Sequence, residues 1–333
     1  MLYPMTTETR ALTSLDGIWS FRLLEGRENF HPETPVSGGI PMPVHCAYND
    51  VYEGRKYRDH IGYVVYERLF NVPAQLKTGA LYLRFGSVTH TAEVWLNGKK
   101  IGSHKGGFLP FQLDITENVL DSGNRLTVLA GNIVDHSTLP CGTLEKRTYP
   151  GLPERDYNFP NFDYFNYSGI LRPVVLCAVP QACITDITVS GCCSGFFAYS
   201  VETSGKGTVT VEVTDGNAVL ASMQGHSGTG KLDEVTLWSC ETPKFYGLRV
   251  TFTAEDGTLD IYTERFGFRE ISVHDCGLYL NGKRIRLKGF GKHEDSPVLG
   301  RGFSEAYNVK DIALMKWMGA NSFRTSHYPS ATK

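Results

Sequence analysis

Tyr63-Val64-Val65-Tyr66-Glu67-Arg68-Leu69-Phe70, Ala80-Leu81-Tyr82-Leu83-Arg84-Phe85 and Thr91-Ala92-Glu93-Val94-Trp95-Leu96 decide the fold class of the first half of the chain. Each run is short, rich in β-branched and aromatic residues, and bounded by Gly, Pro or Asn, which is how strands are punctuated. The third runs into Asn97-Gly98. Both residues tolerate positive φ, so the pair predicts a tight primed turn before Lys99-Lys100-Ile101. With Leu126-Thr127-Val128-Leu129 and Pro173-Val174-Val175-Leu176 added, the pattern predicts one antiparallel sandwich of jelly-roll type over residues 1–178.

Working outward, Pro180 opens a second set of strands: Ile184 to Val189, Phe197 to Thr203, Gly207 to Val213, Tyr246 to Thr253 and Tyr262 to Phe268. Their number and length suit an immunoglobulin-like sandwich over residues 179–273. Leu237-Trp238-Ser239 and Pro243 would form a corner between strands, and Asn281-Gly282 marks a further hairpin at the next boundary.

From residue 274 to 333 the pattern changes. Arg284-Ile285-Arg286-Leu287-Lys288-Gly289 reads as a strand, and Asn308 as the cap of a helix with Val309, Ile312, Ala313 and Trp317 on one face. Gly319 supplies a left-handed stop, and Asn321-Ser322-Phe323-Arg324 is a second strand. A single βαβ unit cannot cover both faces of a parallel sheet, so this domain is expected to be unfinished at Lys333. The predicted class is therefore mainly β: two sandwiches followed by the start of an α/β domain.

A chain of 333 residues exceeds one ordinary core. Its 41% hydrophobic and 20% charged residues fit a globular protein. Lys+Arg (33) and Asp+Glu (35) nearly cancel without long charge runs, which removes the electrostatic basis for binding nucleic acid. The start lacks a cationic segment followed by an apolar one, and no later stretch approaches ~18 apolar residues. No membrane contact and a cytoplasmic location are expected. Eight cysteines are scattered without a CxxC pair, so neither a disulfide framework nor a metal is required, and no cofactor is expected.

Seven ordered motifs carry a resemblance. Ser14-Leu15-Asp16-Gly17-Ile18-Trp19, Phe85-Gly86-Ser87-Val88-Thr89-His90, Trp95-Leu96-Asn97-Gly98 and Gly106-Gly107-Phe108-Leu109-Pro110-Phe111 resemble the sugar-binding domain of family 2 glycoside hydrolases. Asp163-Tyr164-Phe165-Asn166-Tyr167-Ser168-Gly169-Ile170, with Arg172, looks like the β-glucuronidase branch of that family. Lys288-Gly289-Phe290-Gly291-Lys292-His293-Glu294-Asp295 and Ala320-Asn321-Ser322-Phe323-Arg324-Thr325-Ser326-His327-Tyr328-Pro329 resemble the opening of its (β/α)8 TIM barrel. The resemblance implies retaining hydrolysis of β-D-glucuronides by two glutamates roughly 5–5.5 Å apart. Both belong to later barrel strands, so no catalytic residue is expected within this chain and the fragment alone should be inactive.

By the same resemblance Asp163 and His327 would contact the sugar, with Arg324, His293 and Glu294 in supporting places, and the full-length form would be a homo-oligomer. Glu294 and Asp295 are adjacent on an extended segment and point apart, so they cannot flank one glycosidic bond. They are expected to pair with Lys292 or Arg324. The aromatic run Tyr157 to Tyr167 is expected to form core or inter-domain packing rather than to stack on sugar. Another family 2 activity such as β-galactosidase fits less well, because extra histidines usually follow His-Glu where Asp295-Ser296-Pro297 stands. A stand-alone carbohydrate-binding module has no need of the βαβ piece.

Overall fold

The computed structural model describes residues 2–77 and 79–331. Met1 and Lys333, the outer limits of the first and third expected domains, lie outside the described residues. The first sandwich pairs two antiparallel sheets. One runs in the order Ala11–Ser14, Gly169–Val179, Ala80–Thr89, Phe111–Asp114; the other Ile40–Val44, Gly17–Leu23, Tyr63–Phe70, Asn124–Gly131, Thr91–Leu96, Lys99–Lys105. Trp19, Phe21, Tyr66, Leu83, Phe85 and Val94 meet between them in one buried core. Asn97 (φ 55) and Gly98 (φ 83) make the primed turn that the sequence predicts. Asparagine does more than tolerate that conformation there, since its Oδ1 accepts the Arg125 amide at 2.8 Å.

The second sandwich has seven strands where five were expected, because Ala218–Gln224 and Ser227–Lys231 also pair. The first pairs with Gly207–Asp215 and the second, in the other sheet, with Phe196–Thr203; Gly225, Gly228 and Gly230 had disguised the second as a loop. Strand Tyr246–Ala254 alternates buried and half-buried residues along its whole length. This is the signature of one face on the core and one toward water, and it delivers Leu248, Val250 and Phe252 to the interior.

A strap formed by residues 2–10 crosses from the first sandwich to the second. Leu2 and Met5 pack on the second core, and the Tyr262 hydroxyl donates to the Tyr3 carbonyl at 2.8 Å. Arg10 grips the fully buried Asp260 at two points, Nε to Oδ1 at 3.0 Å and Nη2 to Oδ2 at 2.5 Å. The Thr9 hydroxyl (2.9 Å) and the Ile184 amide (2.7 Å) donate to the same carboxylate. With donors around both oxygens, the burial of that carboxylate is compensated by hydrogen bonds.

The third segment corrects two expectations. Lys283–Ile285 is the last strand of an antiparallel meander with Ile271–His274 and Gly277–Leu280, not the first parallel strand. Asn281 (φ 52) and Gly282 (φ 73) form a second primed turn, which folds the following residues back antiparallel. The parallel pair is Gly289–Lys292 against Ser322–Thr325, with Gly289 opposite Ser322. Glycine is needed there because a Cβ would collide with the Ser322 carbonyl.

Helix Glu305–Trp317 joins the two strands. Its cap is Ser304 rather than Asn308: the Ser304 hydroxyl accepts the Tyr307 amide at 3.4 Å, a turn earlier than the sequence reading placed it. Gly319 (φ 82) ends it as expected, with the Ala320 amide on the Met315 carbonyl (3.0 Å) and the Gly319 amide on the Lys316 carbonyl (2.9 Å).

Candidate active site

Because the two short strands are parallel, the segments that leave them, His293-Glu294-Asp295 and Ser326-His327-Tyr328, emerge at one edge. In barrel enzymes that C-terminal edge carries the chemistry. Facing it are two loops of the first sandwich, Gly106–Leu109 and Phe162–Tyr167. His327 Nε2 comes 3.9 Å from Asp163 Oδ1. The Phe162 ring lies parallel to the imidazole, 6.2 Å between centroids and 5° between planes. His293 meets His327 edge-on at 5.6 Å and Tyr164 at 5.9 Å, and its Nδ1 is buried without a hydrogen-bond partner among the described residues.

Glu294 and Asp295 do diverge, but neither pairs with Lys292 or Arg324. Glu294 Oε2 is 3.0 Å from Arg172 Nη2, with side chains 10% and 8% exposed, and its Oε1 accepts the Ala331 amide at 2.9 Å. Asp295 holds Arg301 at two points, 2.8 and 3.3 Å. Lys292 turns instead to Asp311 on the helix at 2.8 Å. For Glu294 the expectation failed because it looked for partners nearby in sequence, whereas the first sandwich supplies Arg172 from a strand 122 residues away; for Asp295 the partner is near but lies in the intervening loop. Arg324 is exposed on its strand, opposite Gly291.

Arg172 is a junction in its own right. Its Nη1 donates to the Phe108 carbonyl (2.8 Å) and its Nη2 to the Pro329 carbonyl (2.6 Å), so one guanidinium ties a sandwich loop to the residues after His327. The motif containing Arg172 was visible in the sequence, but its partner was not. Arg301 stood between two glycines with no signal at all.

Around these charges Phe108, Tyr164 and Tyr328 form a small buried cluster with Phe162 against it. Phe108 and Tyr328 stack at 4.5 Å, and Tyr164 meets Tyr328 edge-on at 5.6 Å. Burial pushes the Tyr164 phenol up to about 12, so it is a neutral wall and not a base. Of the run Tyr157 to Tyr167, Phe162, Tyr164 and Tyr167 meet the third segment, while Tyr157 lies against Tyr149, Phe159 against Arg147, and Phe165 and Tyr167 against Arg58 within the first sandwich. Behind the loop, His90 is 1% exposed and its Nε2 lies 2.6 Å from Asn166 Oδ1. Burial brings its pKa down to about 4, which keeps it neutral near pH 7. Among the described residues no group of three His, Cys, Asp or Glu could hold a metal ion, and no helix is long and apolar enough to cross a membrane.

Family models match almost end to end: glycosyl hydrolases family 2, sugar binding domain, over residues 33–180; glycosyl hydrolases family 2 over 196–269; and glycosyl hydrolases family 2, TIM barrel domain, over 271–333. The chain belongs to glycoside hydrolase family 2. Among curated relatives, a β-glucuronidase of Paenibacillus borealis is 41% identical over 345 residues, which cover 99% of this chain and 57% of the relative. Among solved structures, a β-glucuronidase of an uncultured Clostridium sp. superposes with a TM-score of 0.92 at 41% identity, over 99% of this chain and 57% of that one. A Ruminococcus gnavus β-glucuronidase in complex with D-glucuronic acid gives 0.92 at 36% identity, over 99% and 58%. The chain therefore spans a little more than half the length of the family members it matches. What it carries of the family fold is the jelly-roll sandwich, the immunoglobulin-like sandwich and the start of the TIM barrel.

Proposed function

We propose that this chain is the sugar-binding and barrel-opening part of a family 2 enzyme that hydrolyses β-D-glucuronides with retention of configuration. The observation that carries this is the 3.9 Å approach of Asp163 to His327, from different domains, at the C-terminal edge of the parallel strands. A carboxylate that accepts hydrogen bonds from sugar hydroxyls and an imidazole beside it form one wall of a sugar subsite. His293 lies at the same edge, Arg324 is given its supporting place by the resemblance, and Glu294, held by Arg172, fixes the loop after the first barrel strand. The relatives and the complex with D-glucuronic acid support the glucuronide as substrate.

The acid/base and nucleophile glutamates belong, in this reading, to barrel strands outside this chain. Glu294 and Asp295 are occupied by arginines and diverge, so they cannot serve as a pair ~5–5.5 Å apart. The domain limits 1–178, 179–273 and 274–333, homo-oligomerisation of the full-length form and a cytoplasmic location are part of the same proposal.

The test is hydrolysis of a chromogenic β-glucuronide by the 333-residue chain, with β-galactoside and β-mannoside controls, beside a titration with D-glucuronic acid followed by NMR at His327. No turnover and a saturable movement of the His327 ring signals are expected. Turnover would overturn the placement of both glutamates, and a motionless His327 would remove the sugar subsite.

A further inference from the structure

The Asp163–His327 approach needs something to set it, because neither side chain is enclosed: their exposures are 86% and 33%. Each is followed in sequence by a buried tyrosine, Tyr164 and Tyr328. The guanidinium of Arg301 lies over both rings, 4.2 Å from the centroid of Tyr164 and 4.6 Å from that of Tyr328. Phe108 (5.8 Å) and Tyr167 (5.6 Å) complete the surround, and Arg301 is 3% exposed. We propose that Arg301 is a positioning residue that sets the gap between Asp163 and His327 by holding the two tyrosines that follow them.

Three features make it suited to this. First, the planar cation is stacked and bonded at once, since Asp295 takes its Nε and Nη2 at 2.8 and 3.3 Å and fixes the plane of the guanidinium between the rings. Stacking on aromatic faces is worth more out of water than in it. Second, the loop that carries it is seated on the first sandwich. The Ala47 amide donates to the Leu299 carbonyl (3.0 Å) and the Phe303 amide to the Leu171 carbonyl (2.8 Å), while the Ser296 amide closes the loop on itself at the Gly300 carbonyl (2.6 Å). Third, Gly300 has φ +57, and a Cβ there would press on Ala47 and the Tyr167 ring. The backbone at 300 can therefore approach the sandwich closely, and the next side chain is carried into the aromatic cluster.

The two halves of the site thus meet on one side chain. Tyr164 brings the sandwich to it and Tyr328 brings the barrel, while Asp163 and His327 ride one residue upstream of each. Shifting Arg301 changes the angle between those two loops without touching a sugar-contacting atom. Only the consequence for sugar binding rests on the function proposed above; the geometric role does not.

The experiment is NMR of the His327 and Phe162 rings in the 333-residue chain and in Arg301→Gln, Arg301→Lys and Asp295→Asn variants, with thermal melting of each. In Arg301→Gln the His327 ring signals should move or broaden and the His327–Phe162 contact should be lost. Arg301→Lys keeps the charge but not the two-point bond, so it should give an intermediate displacement, matched by Asp295→Asn. If Arg301→Gln fails to fold, the lysine and Asp295→Asn variants decide. Unchanged His327 signals in folded variants, even with a lower melting temperature, would make Arg301 merely structural and overturn the proposal. D-glucuronic acid affinity should fall about tenfold or more in Arg301→Gln and recover in part in Arg301→Lys. A wild-type chain that ignores the sugar would overturn the substrate reading, while the ring contacts still decide the role of Arg301.

Discussion

The sequence reading gives strand Tyr246–Ala254 and helix Glu305–Trp317 one apolar face each, yet the strand buries every second residue and the helix buries none. Val250 and Phe252 are fully buried, while Val309 is 69% and Trp317 82% exposed. The apolar periodicity of the helix is weak beside the strict alternation of the strand, and its neighbours are fewer. The strand sits between two partners in a four-stranded sheet that has another sheet against it, whereas the helix spans a parallel pair of only two described strands. Periodicity states which face of an element can be buried, and only the surrounding layers decide whether it is.

The sharpest way to break this comparison is to empty one position in each region. Phe252→Ala should cost about 3–5 kcal/mol, the usual result of truncating a buried aromatic, read as a lower urea midpoint. An effect below about 1 kcal/mol would mean that the second core is loosely packed.

The next largest effect is a pH dependence housed in the buried part of the site. His90 has a folded pKa of about 4 against an ordinary value near 6.5. The unfolded chain binds the proton more readily, so stability is fully present above about pH 6.5 and is lost as pH falls toward 4. The shift corresponds to about 3 kcal/mol by linkage. Urea unfolding at pH 7 and pH 4.5 should show most of that loss, and His90→Gln should lose correspondingly less over the same range. Parallel pH profiles for the two proteins would sink the assignment.

Smaller effects are expected at the helix. Ser304→Ala should cost the helix about 1 kcal/mol through loss of its cap, whereas Asn308→Ala should do little. Circular dichroism is too coarse for thirteen residues in a β-rich chain, so amide exchange of Tyr307 and its neighbours is the measurement. Smallest of all, Trp317→Ala should change stability by no more than about 0.5 kcal/mol, and amides of the helix should exchange well before those of Tyr246–Ala254. A costly Trp317→Ala would show that the helix is covered in solution.

Much of the sandwich architecture was legible because strand signals are local. Tyr63–Phe70 and Thr91–Leu96 match their predicted limits. Locality also explains the errors. Arg284 to Gly289 alternates like a strand, but its pairing direction is dictated by the Asn281-Gly282 turn just before it, and only Arg284 and Ile285 of the run pair in that direction. Asn308 is a plausible cap, but a cap is defined by where the chain turns into the helix, and it does so at Ser304. At the site, Asp163 and His327 were proposed from motifs and lie side by side. Arg172 meets Glu294 and Arg301 meets Tyr164 across more than a hundred positions, and no periodicity encodes such a meeting.

The strap of residues 2–10 has a consequence for how the chain is made. Asp260 lies about 250 residues after Arg10, the side chain that neutralises it. At ~5–20 residues per second, Arg10 leaves the ribosome roughly 10–50 s before its partner does. Throughout that interval the strap has no second sandwich to lie on, and the second sandwich, once it emerges, closes over Asp260 only when the strap returns to it. Whatever captures or clips those first residues during synthesis would therefore injure a domain that does not yet exist.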